Sequence, residues 1–209
     1  MTAKWFAITG LDGSGKTTLK NNLIEHFSLN AYRVHGFKLP YDKHLLSLLD
    51  ISGGGDPYKD AYTDRLIFAV DNRIVSNHIT NWRKEYDLLI SQRCFLDPFV
   101  FGTVQGFSYE EIFKINRIND LEKCDVLIHL NADPKVAYDR IKNDPNGDKF
   151  ETQEFIFKQA QATQTVFQEL EKGNIPYFES FNNIPQVYID TTNITCEETF
   201  KRTLEFLNL

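Results

Sequence analysis

Gly10-Leu11-Asp12-Gly13-Ser14-Gly15-Lys16-Thr17-Thr18 decides the reading of this chain. It follows the apolar run from Trp5 to Thr9 and precedes Leu19, Leu23, Ile24 and Phe27, which recur at helical spacing from a start near Lys16. Residues 10–17 satisfy GxxxxGK[ST] in full, in the strand–turn–helix setting that gives the pattern its meaning. The glycines let successive backbone N–H groups turn toward one anion, and the helix N-terminus adds a favourable dipole. Lys16 then places a mobile charge on the outer phosphates, and the Thr17 hydroxyl is a ligand for Mg²⁺. Gly10, Gly13, Ser14, Gly15, Lys16, Thr17 and Thr18 are therefore the expected phosphate-binding residues.

Outward from this loop, runs of strand length recur at Tyr32 to Leu39, Tyr86 to Ser91, Asp125 to Leu130 and Gln186 to Asp190. Helical patterns fill the gaps. From Asp60 to Trp82, Phe68, Val75, Ile79 and Trp82 form a stripe that Ile67, Val70 and Ile74 widen, so this helix is expected to be buried on much of its circumference. A helix from about Thr152 to Lys172 ends at Gly173, and a last one opens on the capping-box pattern Thr195-Cys196-Glu197-Glu198, burying Phe200, Leu204 and Leu207. Strands alternating with helices predict an α/β fold, a single domain over residues 1–209 with a five-stranded parallel sheet covered by helices on both faces. Taken with the phosphate loop, the small size and the absence of an NKxD-like guanine motif, of repeats and of a second domain favour a P-loop kinase domain. The stretches Ile51–Pro57 and Asn143–Asp148 read as loops, the second lying within a candidate lid over residues 142–150.

Hydrophobic residues make up 42% and charged residues 25% of the 209, an ordinary globular balance that excludes disorder. The net charge of −6 argues against a sequence-independent grip on a nucleic acid polymer or an anionic membrane. No apolar run approaches a membrane span, and the N-terminus lacks a signal-peptide layout. Cys94, Cys124 and Cys196 are odd in number and form no CxxC, and the five histidines show no metal-ligand spacing. The expectation is a cytoplasmic protein with reduced thiols.

Three further stretches join the phosphate loop in a recognisable order. Asp56-Pro57 with Leu66-Ile67-Phe68-Ala69-Val70-Asp71-Asn72, Ser91-Gln92-Arg93 with Phe101-Gly102, and Ala137-Tyr138-Asp139-Arg140 with Asp148-Lys149-Phe150-Glu151 follow it. In order and spacing the chain resembles the thymidylate kinase family of nucleoside monophosphate kinases over about residues 5 to 170. That resemblance implies ATP and Mg²⁺ as cofactors, a pyrimidine deoxynucleoside monophosphate such as dTMP as acceptor, and a homodimer. It implies that Phe68 stacks on the base, Phe101 lines the acceptor site and Arg140 lies against adenine. Read chemically, Arg93 either holds an acceptor phosphate bidentately or makes a structural ion pair. Asp12 either meets a sugar hydroxyl or metal-bound water, or stabilises the turn. In the candidate lid, Lys142 and Lys149 either swing onto the transferring phosphate or are solvated lysines on a loop.

Three departures from the family pattern stand out. Gln92 occupies the place of a carboxylate and can hydrogen-bond but cannot accept a proton; Asp97 or Asp12 is the candidate to compensate. The position that carries a base-reading arginine in the family holds Asn72, with Arg73 one residue on, about 100° around the helix. Phe37-Lys38-Leu39-Pro40 stands where the family has an Arg-Glu-Pro-Gly-Gly segment. Two alternatives follow: a deoxynucleoside kinase, which needs a carboxylate base near a 5′-hydroxyl, and a catalytically silent nucleotide-binding protein.

Overall fold

The first strand, β1 (Lys4–Gly10), sends Trp5 and Ala7 to one face and Phe6 and Ile8 to the other. All four are buried, so this strand needs cover on both sides. A computed structural model describes residues 2–53, 55–145, 147–173 and 176–208 and shows how that cover is supplied. After β1 come α1 (Lys16–Leu29), β2 (Val34–Lys38), α2 (Lys43–Gly53), α3 (Ala61–Glu85), β3 (Leu88–Gln92), α4 (Asp97–Val104) and α5 (Tyr109–Asn116). β4 (Val126–Asn131), α6 (Pro134–Ile141), α7 (Gln153–Lys172), β5 (Gln186–Asp190) and α8 (Cys196–Phe206) complete the chain.

The five strands form one sheet in the order β2-β3-β1-β4-β5, and every pairing is parallel. Period-two alternation divides the core between its faces. Phe6, Ile8, Leu88, Ile90, Val126 and Ile128 pack with Leu19, Leu23 and Phe27 of α1, with α8 alongside. Trp5, Ala7, Leu89 and Leu127 pack with Val75 and Ile79 of α3, Phe99 of α4, and Phe155 and Val166 of α7. Because β1 lies between β3 and β4, the chain leaves it in opposite directions, and the crevice at the carboxyl ends of β1 and β3 is where such sheets bind ligands.

Several local expectations need correction. Ile51–Gly53 belong to the end of α2, since Leu45, Leu46, Leu48 and Leu49 carry a helical run into them; Gly54, in the same expected loop, lies outside the described residues. α3 is buried over about half of its circumference, from Asp64, Arg65 and Ile67 to Ile79 and Trp82, but not on the Val70 side. Tyr62, Leu66 and Val70 are 57%, 44% and 49% exposed, an apolar stripe on its outer side. Phe200, Leu204 and Leu207 are half-buried at the edge of the core. Thr195 Oγ1 accepts from Glu198 N (3.1 Å), but the Glu198 carboxylate turns to Arg202 (2.8 Å) rather than back to the cap. α7 ends at Gly173 in the left-handed region, as its sequence requires.

Candidate active site

β1 ends in a turn that only glycine can make. A Cβ on Gly10 (φ 126°) would lie 1.9 Å from Leu130 O, and one on Gly13 (φ 82°) 2.2 Å from Ala137 O. The backbone is thereby drawn against β4 and α6 while the first N–H groups of α1, with no intrahelical partners, open onto a cleft of about 470 Å³. Gly13, Ser14, Gly15, Lys16, Thr17 and Thr18 line that cleft. Ser14 Oγ is buried there without a hydrogen-bond partner among the described residues. The volume falls in the range of small-molecule sites, and the orphaned hydroxyl fits a phosphate.

Lys16 is not the exposed loop lysine that the motif alone suggests. It is 3% exposed, and its Nζ donates to Gly10 O (2.9 Å), Leu11 O (2.8 Å) and Asp12 Oδ1 (2.9 Å). Arg93 Nη2 donates to both Asp12 oxygens at 2.9 Å, and Gln159 Nε2 of α7 donates to Oδ2 at 3.3 Å. Burial alone would raise the Asp12 carboxyl, but Arg93 and Lys16 outweigh it and hold Asp12 well below the ordinary carboxylate range. Arg93 occupies the left-handed region (φ 70°), strained for a side chain of this size, with its N–H held by Ile8 O (2.7 Å). This conformation turns the guanidinium across the end of the sheet, with Cζ 4.9 Å from the Phe101 ring centroid.

Gln92 accepts from the Thr17 hydroxyl through Oε1 (2.9 Å). Asp97, the suggested compensation for the missing carboxylate, is otherwise engaged: Oδ2 accepts from Thr9 Oγ1 (2.9 Å) and Cys94 N (2.8 Å), and burial raises its pKa. At the far end of the cleft, Arg140 Nη2 donates to Thr191 O (2.9 Å) and Nη1 to Gly13 O (3.2 Å), tying the phosphate loop to the β5–α8 connection.

A second, smaller cavity opens beside Arg93, lined by Phe68, Asn72, Phe101, Pro98, Arg65 and Leu39 among others. Arg93 lines both cavities. Of the two candidate base readers, Asn72 faces this space. Arg73 does not: one helical step carries it round the helix, where Nη1 donates to Asp120 O (2.9 Å). Lys149 also departs from expectation. It forms a buried ion pair with Asp64 of α3 (2.9 Å; side chains 5% and 0% exposed), because the neighbouring Phe150 is anchored against Phe68, Phe101 and Phe155 and turns that end of the segment inward. Lys142 pairs with Asp139 on the surface (2.7 Å), and Asn146, inside the candidate lid, lies outside the described residues.

The sequence reading missed four residues of this site. Lys38, at the end of β2, lines the phosphate cleft. Gln159 and Arg65 are polar residues on otherwise buried helix faces, which was the available signal. Glu151 lines the cleft with its carboxyl raised to about 7 by burial and by the Asp148, Asp12 and Asp144 carboxylates.

Two cavities that meet at one buried arginine, one of them walled by a GxxxxGK[ST] loop, meet the requirement for aligning two phosphate-bearing ligands, and they place the chain among the P-loop kinases. Comparison with known proteins narrows the class. The family model described as thymidylate kinase matches residues 8–187, and the chain belongs to the thymidylate kinase family. It is 34% identical over 142 residues to a probable thymidylate kinase 1 of Saccharolobus solfataricus, covering 68% of this chain and 71% of that one. It is 30% identical over 166 residues to a thymidylate kinase of Caldicellulosiruptor saccharolyticus, covering 75% and 78% respectively. The solved thymidylate kinase of Candida albicans superposes with a TM-score of 0.72 at 17% identity, over 99% of this chain and 92% of that one, a likeness of fold.

Proposed function

We propose that this protein transfers the γ-phosphoryl group of ATP to dTMP, giving dTDP and ADP. The observation that carries this reading is Arg93, which lines both the phosphate cleft and the aromatic cavity, so that a donor and an acceptor phosphate meet at its guanidinium. An oxygen of the acceptor phosphate attacks the γ-phosphorus, the bond to the β–γ bridging oxygen breaks, and ADP leaves with that electron pair. A nucleoside monophosphate needs no base, because its attacking oxygen is already largely ionised at neutral pH. Gln92 at the strand end is therefore no obstacle to this chemistry, whereas a 5′-hydroxyl acceptor would need a proton acceptor there.

The loop backbone from Gly10 to Thr18 holds the triphosphate, and Lys16 and Arg93 leave Asp12 to meet the phosphates. Lys38, which also lines the cleft, supplies the further cation that Lys149 does not. Phe68 and Phe101 sandwich the acceptor base, Asn72 meets its edge, and Arg140 with the residues after β5 bounds the adenine. Among the described residues no cluster of three His, Cys, Asp or Glu side chains is placed to hold a metal. The Thr17 hydroxyl, which lines the phosphate cleft, is the group that would hold a Mg²⁺ ion carried in with ATP. When bound, it neutralises charge on the transferring group.

The segment from Lys142 to Phe150 serves as a lid that excludes water during transfer, tethered at Lys149 and Phe150. The exposed Tyr62–Leu66–Val70 stripe of α3 supports a homodimer through that helix. Among the described residues no helix is long and apolar enough to cross a membrane. Coupled measurement of ATP consumption against nucleosides and nucleoside monophosphates tests the reading. Turnover of dTMP well above thymidine is expected; thymidine turnover alone, or none with any acceptor, would overturn it.

A further inference from the structure

Arg65 on α3 is 2% exposed, yet its Nε and Nη2 have no hydrogen-bond partner among the described residues. Its neighbour in sequence, Asp64, is turned to Lys149. Burial pulls the Arg65 guanidinium down to about 9, against the opposing pull of Asp64 and with a further push from Arg93. An unsatisfied buried guanidinium is costly, and a side chain present only to pack would avoid that cost.

Its surroundings show what is missing. Arg65 shares a helix face with Phe68 and Asn72, at spacings of three and seven residues, and all three line the smaller cavity. The guanidinium carbon lies 4.6 Å from the Phe68 ring centroid. Gly102 on α4 lies against the side chain at ordinary contact distance, since a Cβ there would stand 3.6 Å from Arg65 Cδ; the close approach at Gly102 is to Ile112. Of the other polar groups around this space, Arg93 gives Nη2 to Asp12 and keeps only its Nε without a partner among the described residues, and Asp97 Oδ2 is held by Thr9 and Cys94.

Asn72 completes the pattern, and its amide orientation follows from its neighbours. Asn116 Nδ2 must donate to the Ile112 carbonyl (2.9 Å), so Asn116 Oδ1 is an acceptor and Asn72 Nδ2 donates to it (2.9 Å). Asn72 Oδ1 is left as an acceptor. Unsatisfied donors on Arg65 and an acceptor on Asn72, both lining this cavity, complement a flat ring that presents a carbonyl oxygen next to a ring N–H.

We infer that Arg65 is the specificity residue for the acceptor base: its guanidinium donates to a ring carbonyl while Asn72 Oδ1 accepts the adjacent ring N–H. This rests on the phosphoryl-transfer reading for the identity of the acceptor as a pyrimidine monophosphate. Thymine and uracil present that edge; cytosine presents an amino donor beside a bare ring nitrogen, the reverse pattern. The cavity, about 40 Å³, has room for a few waters only, so the guanidinium over Phe68 gives way to the base and re-forms its contacts at the ring edge.

The test compares wild type, Arg65→Met and Arg65→Lys by turnover and by calorimetric binding of dTMP, dUMP and dCMP. For Arg65→Met, the dTMP KM and Kd should rise about ten- to a hundredfold, the loss of a charge-assisted hydrogen bond. The ATP KM should stay within twofold and Tm no lower than wild type, and the preference for dTMP over dCMP should shrink. Arg65→Lys should fall between the two, and it carries the test if the methionine variant does not fold. An unchanged dTMP KM, or an equal loss for all three nucleotides, which would assign Arg65 to the phosphate, overturns the inference. If wild type binds dTMP selectively in an Arg65-dependent way yet transfers no phosphate, the proposed function fails and the inference stands. If wild type binds no monophosphate, both fail.

Discussion

Replacing Asp12 by Asn keeps the side chain's shape and removes the carboxylate to which both Lys16 and Arg93 donate. In the ligand-free protein this leaves two cations, 3% and 12% exposed at their side chains, around a neutral amide. At an effective dielectric of about 20, each ion pair is worth several kcal/mol of Coulomb energy, roughly offset by the desolvation already incurred. Removing one partner forfeits the first term and keeps the second, so Asp12→Asn should cost about 3–5 kcal/mol. For a chain of this length that lowers Tm by roughly 6–20 °C. Saturating ATP supplies negative charge to the same cations, so it should raise the Tm of the variant more than that of wild type and close most of the gap. The pH dependence has a definite sign. Asp12 is depressed in the folded state, so its contribution is complete above the ordinary carboxylate pKa of about 3.9 and fades as the pH falls below it. The difference between the two proteins should therefore hold from pH 7 to 5 and narrow below 4. Calorimetric melts with and without ATP measure all of this. A variant melting within about 2 °C of wild type at pH 7 would refute the account of Asp12 as the counter-charge that ATP displaces.

Lys149→Met removes the buried ion pair with Asp64, whose carboxylate also accepts from Gln105 Nε2 (3.2 Å), and should cost about 3–5 kcal/mol in chemical denaturation; a kcat reduced a hundredfold where that variant is still folded would show instead that Lys149 reaches the transferring phosphate. Gly13→Ala sets a methyl group 2.2 Å from Ala137 O at φ 82°, and the ATP KM should rise at least about tenfold; a KM like that of wild type counts against the close approach. His129, under Phe167 of α7 and held at about 3 by burial, is protonated first in the unfolded chain. Stability should fall by up to about 1.4 kcal/mol per pH unit below 6.5, and His129→Leu should flatten that slope in denaturation series between pH 6.5 and 4.

The phosphate loop, the five strands and their parallel arrangement were legible in the sequence because each rests on short-range rules. Glycine spacing, period-two and period-3.6 burial and helix-ending signals act over a few residues, and Gly173 ends α7 where those rules place it. The helices α2 and α4 were not read from the sequence, since their stretches are short or apolar all round and take their form from what they pack against; α5 carries its own signal, the capping box of Ser108 and Glu111, which the sequence reading did not use. The directions of long polar side chains were decided only by tertiary structure. Lys149 lies in a loop whose sequence offers its charge to the cleft, but Phe150 three-dimensionally anchors that loop in the aromatic core and turns the ammonium to Asp64. Arg73 and Asn72 are adjacent in sequence, yet helical rotation sends one to Asp120 and the other to the cavity. Lys16 is an exposed charge by motif and a buried one by packing, because Arg93 and Asp12, 81 residues apart, meet where β1 and β3 end side by side. Local sequence determines which residues can bind phosphate; the pairing of distant strand ends determines which charges face each other until a ligand separates them.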